Sequence, residues 1–223
     1  MRIRFEEQLE QLNSMLIDMG ALCEEAIHYA VEALKDGTDE KRQLTYETDK
    51  VIDDREREIE TICLKLLLQQ QPVAKDLRLI SAALKMISDM ERIGDQAYDI
   101  AEITENIKDD GRRICAEHID KMTAEVIEMV TKSIDSFVKK DLGLANRVIM
   151  EDDIVDDLFV DIKNDLLNAV AEDRSWGEYF IDVLMIAKYL ERIGDHAVNI
   201  AEWVIFSVTG KHVNEKHIEK ERI

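Results

Sequence analysis

Apolar residues recur along this chain at steps of three and four, as in Leu77, Ile80, Leu84 and Ile87, and again in Val155, Leu158, Phe159, Ile162 and Leu166. That spacing lines one side of an α-helix. The pattern breaks at Asp36-Gly37-Thr38-Asp39, at Gln71-Pro72, around Asp109-Asp110-Gly111-Arg112, near Asp141-Leu142-Gly143, and from Glu172 to Gly177. Glycine, proline and short polar residues at these points interrupt a helix or cap one. Five interruptions predict six helices of about 25 to 35 residues, long for a globular protein and normal for a bundle.

The motif Glu91-Arg92-Ile93-Gly94-Asp95 returns as Glu191-Arg192-Ile193-Gly194-Asp195, and each copy closes on Ile-Ala-Glu at 100–102 and 200–202. Nine of the twelve positions from 91 to 102 are identical at an offset of 100 residues. One helix upstream, Asp49, Asp53 and Asp54 match Asp152, Asp156 and Asp157 at an offset of 103. The chain therefore reads as an all-α tandem duplication of a three-helix bundle. We expect a first bundle over residues 1–112, a second over 113–210 and a charged tail over 211–223.

Composition agrees, with 46% hydrophobic, 35% charged and 5% aromatic residues and a single proline among 223 positions. The formal charge of −20, from 49 acids against 29 bases, disfavours direct binding to nucleic acid or to anionic membranes. Cations and basic protein surfaces are the expected partners. Neither a signal-like apolar leader nor an apolar run of about 18 residues is present, so we expect a cytoplasmic chain without membrane insertion. Cys23, Cys63 and Cys115 are odd in number and widely spaced, as reduced core thiols would be.

Most acids in so acidic a chain belong to solvated faces. Position on the helix singles some out. At about 100° per residue, Glu91, Asp95, Asp99 and Glu102 form one stripe in line with Leu77 and Leu84, which predicts that the acids continue a core-facing line. In the second copy Phe180 and Leu184 lead into Glu191, Asp195, Asn199 and Glu202 in the same way. Asp152 and Asp156 flank the apolar stripe of Val148, Val155, Phe159 and Leu166, whereas Asp153, Asp157 and Asp161 point away from it. Asp49 and Asp53 hold the matching place beside Ile52, Ile59 and Cys63, with Glu56 one turn on.

Carboxylates crowded into one groove repel one another and resist desolvation, and a bound cation relieves both costs. All-oxygen ligands favour Mg²⁺, Mn²⁺, Ca²⁺ or iron over zinc. The alternative is a metal-free network in which Arg92 and Arg192 pair with the acids. His196 projects about 100° from the acid stripe, too far round to share its ligands readily. His28 and His118 have no obvious partner, and His212 and His217 fall in the tail. Met86, Met90, Met185, Trp176 and Trp203 read as packing residues. Gly94 and Gly194 weaken their helices, which points to close approach by a neighbour. No phosphate loop, nucleophile elbow or catalytic Cys–His pair is present, so an adaptor fits better than an enzyme.

The doubled Glu-Arg-Ile-Gly-Asp motif, Asn199-Ile200-Ala201-Glu202, Gln71-Pro72-Val73-Ala74-Lys75-Asp76-Leu77-Arg78 and Phe206-Ser207-Val208-Thr209-Gly210 together resemble the PhoU family over nearly the whole chain. The resemblance implies two bundles side by side, with paired acid-x-x-x-Asp motifs binding multinuclear metal clusters. These fall on Asp49 and Asp53, Glu91 and Asp95, Asp152 and Asp156, and Glu191 and Asp195. Asp99 faces Asn199 and Glu56 faces Phe159 between the copies, so equal ion counts do not follow. The resemblance further implies negative regulation of the phosphate-starvation response, with the ATPase of a phosphate ABC transporter and a PhoR-type histidine kinase as partners. Monomer and homodimer both stay open. Two other readings are a ferritin-like di-metal enzyme or iron store, whose Glu-x-x-His is absent from the acid stripes here, and a metal-free accessory of a low-affinity phosphate carrier.

Overall fold

A computed structural model describes residues 2–69, 72–107 and 115–213. Six helices account for nearly all of them: α1 (Arg2–Asp36), α2 (Asp39–Gln69), α3 (Ala74–Thr104), α4 (Ala116–Lys139), α5 (Leu142–Glu172) and α6 (Gly177–Thr209). A short 3-10 turn, Arg174–Trp176, precedes α6. No strand occurs among the described residues.

The breaks fall where the sequence places turn chemistry. Gly37 ends α1 in the left-handed region at φ 64°, its N–H donating to the Ala33 carbonyl at 3.0 Å. Asp141 starts α5 as an N-cap, its Oδ1 accepting from the N–H groups of Gly143 and Leu144 at 2.9 and 3.0 Å. The division expected at 112/113 lies outside the described residues, as do Gln71, Asp109, His217 and the side chain of Trp176.

Helices α1, α2 and α3 pack on one another, and α4, α5 and α6 do the same. The halves join through α3 against α6 and α1 against α4. A continuous apolar core runs through both. Outer helix α2 buries only a narrow line, Thr45, Thr48, Ile52, Ile59, Cys63 and Leu66, the three-and-four spacing of a bundle seam. By contrast α3 touches α1, α2 and α6 and buries a wide arc that includes Ile80, Ala83, Ile87, Met90, Gly94, Ala97 and Ala101.

That arc corrects one expectation. Leu77 is 47% exposed, Leu84 only partly buried, and the acid stripe they define lies on the flank of the core. Three neighbours, rather than one, decide which side of α3 is covered. Met185, expected to pack, is also exposed, whereas Met86 and Met90 are fully buried. Trp203 packs edge-on against Phe206, which stacks on His212 with centroids 4.4 Å apart. Both histidines lacking an obvious partner have one: His28 pairs with Glu32 on its own helix at 3.1 Å, and His118 reaches Asp165 of α5 at 2.8 Å. Cys23 and Cys63 are buried free thiols, and Cys115 is half-buried.

Candidate metal centre

In the first bundle α2 presents Asp49, Asp53 and Glu56 to the acids of α3. Gly94 makes this close. A Cβ at that position would stand 2.8 Å from Asp49 Oδ1 and 3.1 Å from Ile52 Cδ1, so the bare backbone of α3 leaves room for the Asp49 carboxylate. Asp49 Oδ1 is buried and has no hydrogen-bond partner among the described residues. Burial, then the charges of Asp53, Asp95 and Asp99, pushes the Asp49 carboxyl up to about 6. Glu91 is raised by burial and by Asp95, Glu56 and Asp53, against the lowering effect of Arg92. Acids of the two helices therefore feel one another directly, as a shared groove requires.

The second bundle repeats the arrangement between α5 and α6. Burial pushes the Asp152 carboxyl up to about 6, with Asp156, Asp195, Asp153 and Glu191 adding to it. Asp195 is raised by burial and by Glu191 and Asp156, while Lys188 opposes the shift. Asp153, Asp157 and Asp161 are exposed, as their position on the helix predicts, but Asp156 and Asp195 are exposed as well, which leaves Asp152 and Glu191 as the better covered acids of this groove. Gly194 is less tightly met than Gly94, its nearest neighbours being Val155 Cγ1 at 3.5 Å and Asp152 Oδ1 at 3.6 Å.

Several cations reach these acids. Arg92 pairs with Asp95 at 2.7 Å and lies 3.5 Å from Glu91, and Arg57 contacts Asp53 at 3.5 Å. In the second bundle Lys188 pairs with Glu191. These contacts realise part of the ion-pair alternative.

The bundles also cross over. Asn199 donates to Asp89 Oδ1 of α3 at 3.1 Å, and His196 Nδ1 lies 3.0 Å from the same oxygen. On the other side the Tyr189 hydroxyl of α6 reaches the Asp99 carboxylate, and Arg192 lowers that acid against the effect of burial. Position 89 of each copy thus meets position 99 of the other. Asp99 is held at the edge of its groove, and Asn199 is tied to Asp89 through its amide nitrogen. Glu102 lies at the exposed rim near Asp99, and Glu202 lines a cleft of about 400 Å³ between the bundles with Lys85, Ser88, Arg92 and Trp203.

Among the described residues no three His, Cys, Asp or Glu side chains already converge on one point as an ion would require. The donor chemistry nevertheless fits a hard cation. Both grooves offer carboxylate oxygens, and among the described residues Asp49 Oδ1 is a buried acceptor without a hydrogen-bond partner, which such an ion would satisfy.

A family model described as "PhoU domain" matches the chain twice, over residues 16–104 and 119–204. The chain belongs to the PhoU family. It is 38% identical over 211 residues to the "Phosphate-specific transport system accessory protein PhoU homolog" of Clostridium acetobutylicum, covering 94% of this chain and 96% of that protein. A protein of the same description from Pseudomonas aeruginosa is 35% identical over 219 residues, covering 96% and 88%. The crystal structure of PhoU from Pseudomonas aeruginosa superposes with a TM-score of 0.85 over 93% of this chain and 100% of that one, at 35% identity. The PhoU of Streptococcus pneumoniae reaches the same TM-score at 24% identity over 94% and 99%, a likeness of fold. These relatives are named as accessory or regulatory proteins of phosphate transport, not as enzymes.

Within this PhoU-family fold, sequence reasoning missed Ser88, Asp89, Lys188 and Tyr189. Ser88 donates to Glu56 of α2 at 3.3 Å. A signal existed for positions 88 and 188, which precede Glu91 and Glu191 by three residues and so share their helix face. The partners of Asp89 and Tyr189 depend on how α3 meets α6, which no single helix pattern contains.

Proposed function

We propose that this protein is a cytoplasmic regulator of phosphate homeostasis that acts with the phosphate-specific transport system. It restrains the phosphate ABC transporter through its ATPase and supports a PhoR-type histidine kinase in silencing the phosphate-starvation response. The observation that carries this reading is near full-length relatedness to proteins named as accessories of that system. Among the described residues no helix is long and apolar enough to cross a membrane, which suits a protein that meets a membrane transporter from outside the bilayer.

The two grooves, on this reading, hold metal ions. Asp49, Asp53, Glu91, Asp95 and Asp99 would hold them in the first bundle, and Asp152, Asp156, Glu191, Asp195 and the Asn199 Oδ1 in the second. A bound cation would neutralise mutually repelling carboxylates and stiffen the pairing of α2 with α3 and of α5 with α6. Glu56 shapes the first groove through Ser88, and Arg92 guards its rim.

The test joins both halves of the claim. A tagged chain isolated from phosphate-replete cells should bring down the transporter ATPase and carry Mn or Fe detectable by elemental analysis. Asp95→Ala with Asp195→Ala should strip the metal while the helical circular-dichroism signal persists. Deleting the gene should raise expression of phosphate-starvation genes in phosphate-replete medium, and unchanged repression would refute the regulatory role.

A further inference from the structure

The two grooves differ at a pair of positions that face each other. In the first bundle Ser88 of α3 opposes Glu56 of α2, hydroxyl to carboxylate. At the equivalent places in the second bundle, offsets of 100 and 103 put Lys188 and Phe159. The Lys188 ammonium pairs with Glu191 and lies over the Phe159 ring, 5.6 Å from its centroid. It therefore spans from α6 to α5, held at one end by an ion pair and at the other by a cation–π contact. Among the described residues Arg92 and Arg57 of the first bundle pair with acids on their own helices, their side chains 60% and 68% exposed against 45% for Lys188. Such solvated pairs hold weakly. The second groove also lacks the acids that Glu56 and Asp99 give the first, since Phe159 replaces one and Asn199, bonded to Asp89, replaces the other.

We propose that Lys188 is a resident counter-cation of the second bundle, its ammonium serving the carboxylates there as an exchangeable metal ion serves those of the first, so that the two halves take up metal unequally. This rests on the reading that the grooves bind metal. Lysine is suited to the part because its compact ammonium is a point charge on a flexible stem. A divalent ion entering beside Glu191 must displace that charge or bear its repulsion. The lysine thereby sets the metal affinity of its bundle below that of the first.

The full chain tests this through Mn²⁺ titration, following free ion by electron paramagnetic resonance. Asp53→Asn with Asp95→Asn silences the first groove and leaves the second to be read alone. In that background Lys188→Ser, which installs the residue of the first bundle, should tighten Mn²⁺ binding about tenfold, the effect of removing one nearby charge. Lys188→Gln, which keeps the length of the stem, should do the same and guards against loss of packing over Phe159. Lys188→Arg, which keeps the charge, should leave binding near its starting value. The reciprocal variant, Asp156→Asn with Asp195→Asn, should bind Mn²⁺ more tightly than the first-groove variant. If both neutral variants leave second-groove affinity unchanged while the wild type binds Mn²⁺, Lys188 has no such role. If the wild type binds no Mn²⁺, Mg²⁺ or iron at all, the metal reading itself falls and takes this inference with it.

Discussion

Replacing Gly94 and Gly194 separately by alanine makes the same chemical change at equivalent sites and should move stability in opposite directions. In the interior of a helix, alanine is favoured over glycine by about 1 kcal/mol. At Gly194 nothing opposes that gain, because the new methyl would meet its nearest neighbours at 3.5 Å or more, ordinary contact distances. At Gly94 the methyl would stand 2.8 Å from Asp49 Oδ1 and 3.1 Å from Ile52 Cδ1. Asp49 can swing aside, but Ile52 is fully buried and has little room to give. Overfilling a packed site costs about 1–3 kcal/mol, so Gly94→Ala should be destabilising by about 1 kcal/mol net. The two variants should then differ by about 2 kcal/mol, or about 4–8 °C in melting temperature for a domain of this size. Urea and thermal unfolding of metal-free protein, followed by circular dichroism, measure the difference. Equal shifts, or a more stable Gly94→Ala, would show that α3 does not press on α2 at that turn. A second readout sharpens the case, because displacing Asp49 should weaken metal binding in the first bundle only.

Further outcomes follow from the same geometry. In metal-free protein, Asp49 and Asp152 have folded values of about 6 against an ordinary 3.8, so the folded state holds their protons more tightly than the unfolded chain does. Stability should be greatest below about pH 4 as far as these groups are concerned, and should fall as pH rises through about 6. The gap sets a ceiling of about 3 kcal/mol for each acid, and partial exposure reduces it to about 1. Asp49→Asn or Asp152→Asn should therefore stabilise metal-free protein at pH 7 by about 1 kcal/mol and flatten the slope, and a loss of stability on chemical denaturation would contradict the assignment. Asp89→Ala removes the shared acceptor of His196 and Asn199 and should cost about 1–3 kcal/mol, with faster amide exchange at the facing turns of α3 and α6 as the confirming signal. Cys23 and Cys63, buried with thiols pushed upward by desolvation, should resist a thiol reagent until the protein unfolds. Rapid labelling of either in native buffer would mean the bundle opens there.

Much of this architecture could be read from the chain because helices, breaks and repeat are local properties. The breaks coincide with Gly37, Pro72, Asp141 and Asp173, whose backbone preferences or capping side chains act over two or three residues. The pairing of Asp49 and Asp53 with Glu91 and Asp95 was legible because the duplication shows the same acids twice. What stayed hidden depends on neighbours. A helical projection orders side chains around an axis without saying which arc is covered, so it places Leu77 on a line whose covered counterpart in the structure passes instead through Ile80, Ile87 and Gly94. Lys188 and Tyr189 are unremarkable as letters, and their roles appear only when α5, α6 and α3 stand together.

The reciprocal meeting of positions 89 and 99 has a consequence for how the halves choose each other. A joint in which each copy offers the same two places to the other has the form of a twofold-symmetric dimer held on one polypeptide. Two first halves docked in that manner would set Asp89 against Asp99 on both sides, carboxylate facing carboxylate, a repulsion that discourages self-pairing. The native combination sets Asp89 against Asn199 and Tyr189 against Asp99, a donor to each acid. The difference between the copies at these few residues makes the first half better matched to its sibling than to a second copy of itself.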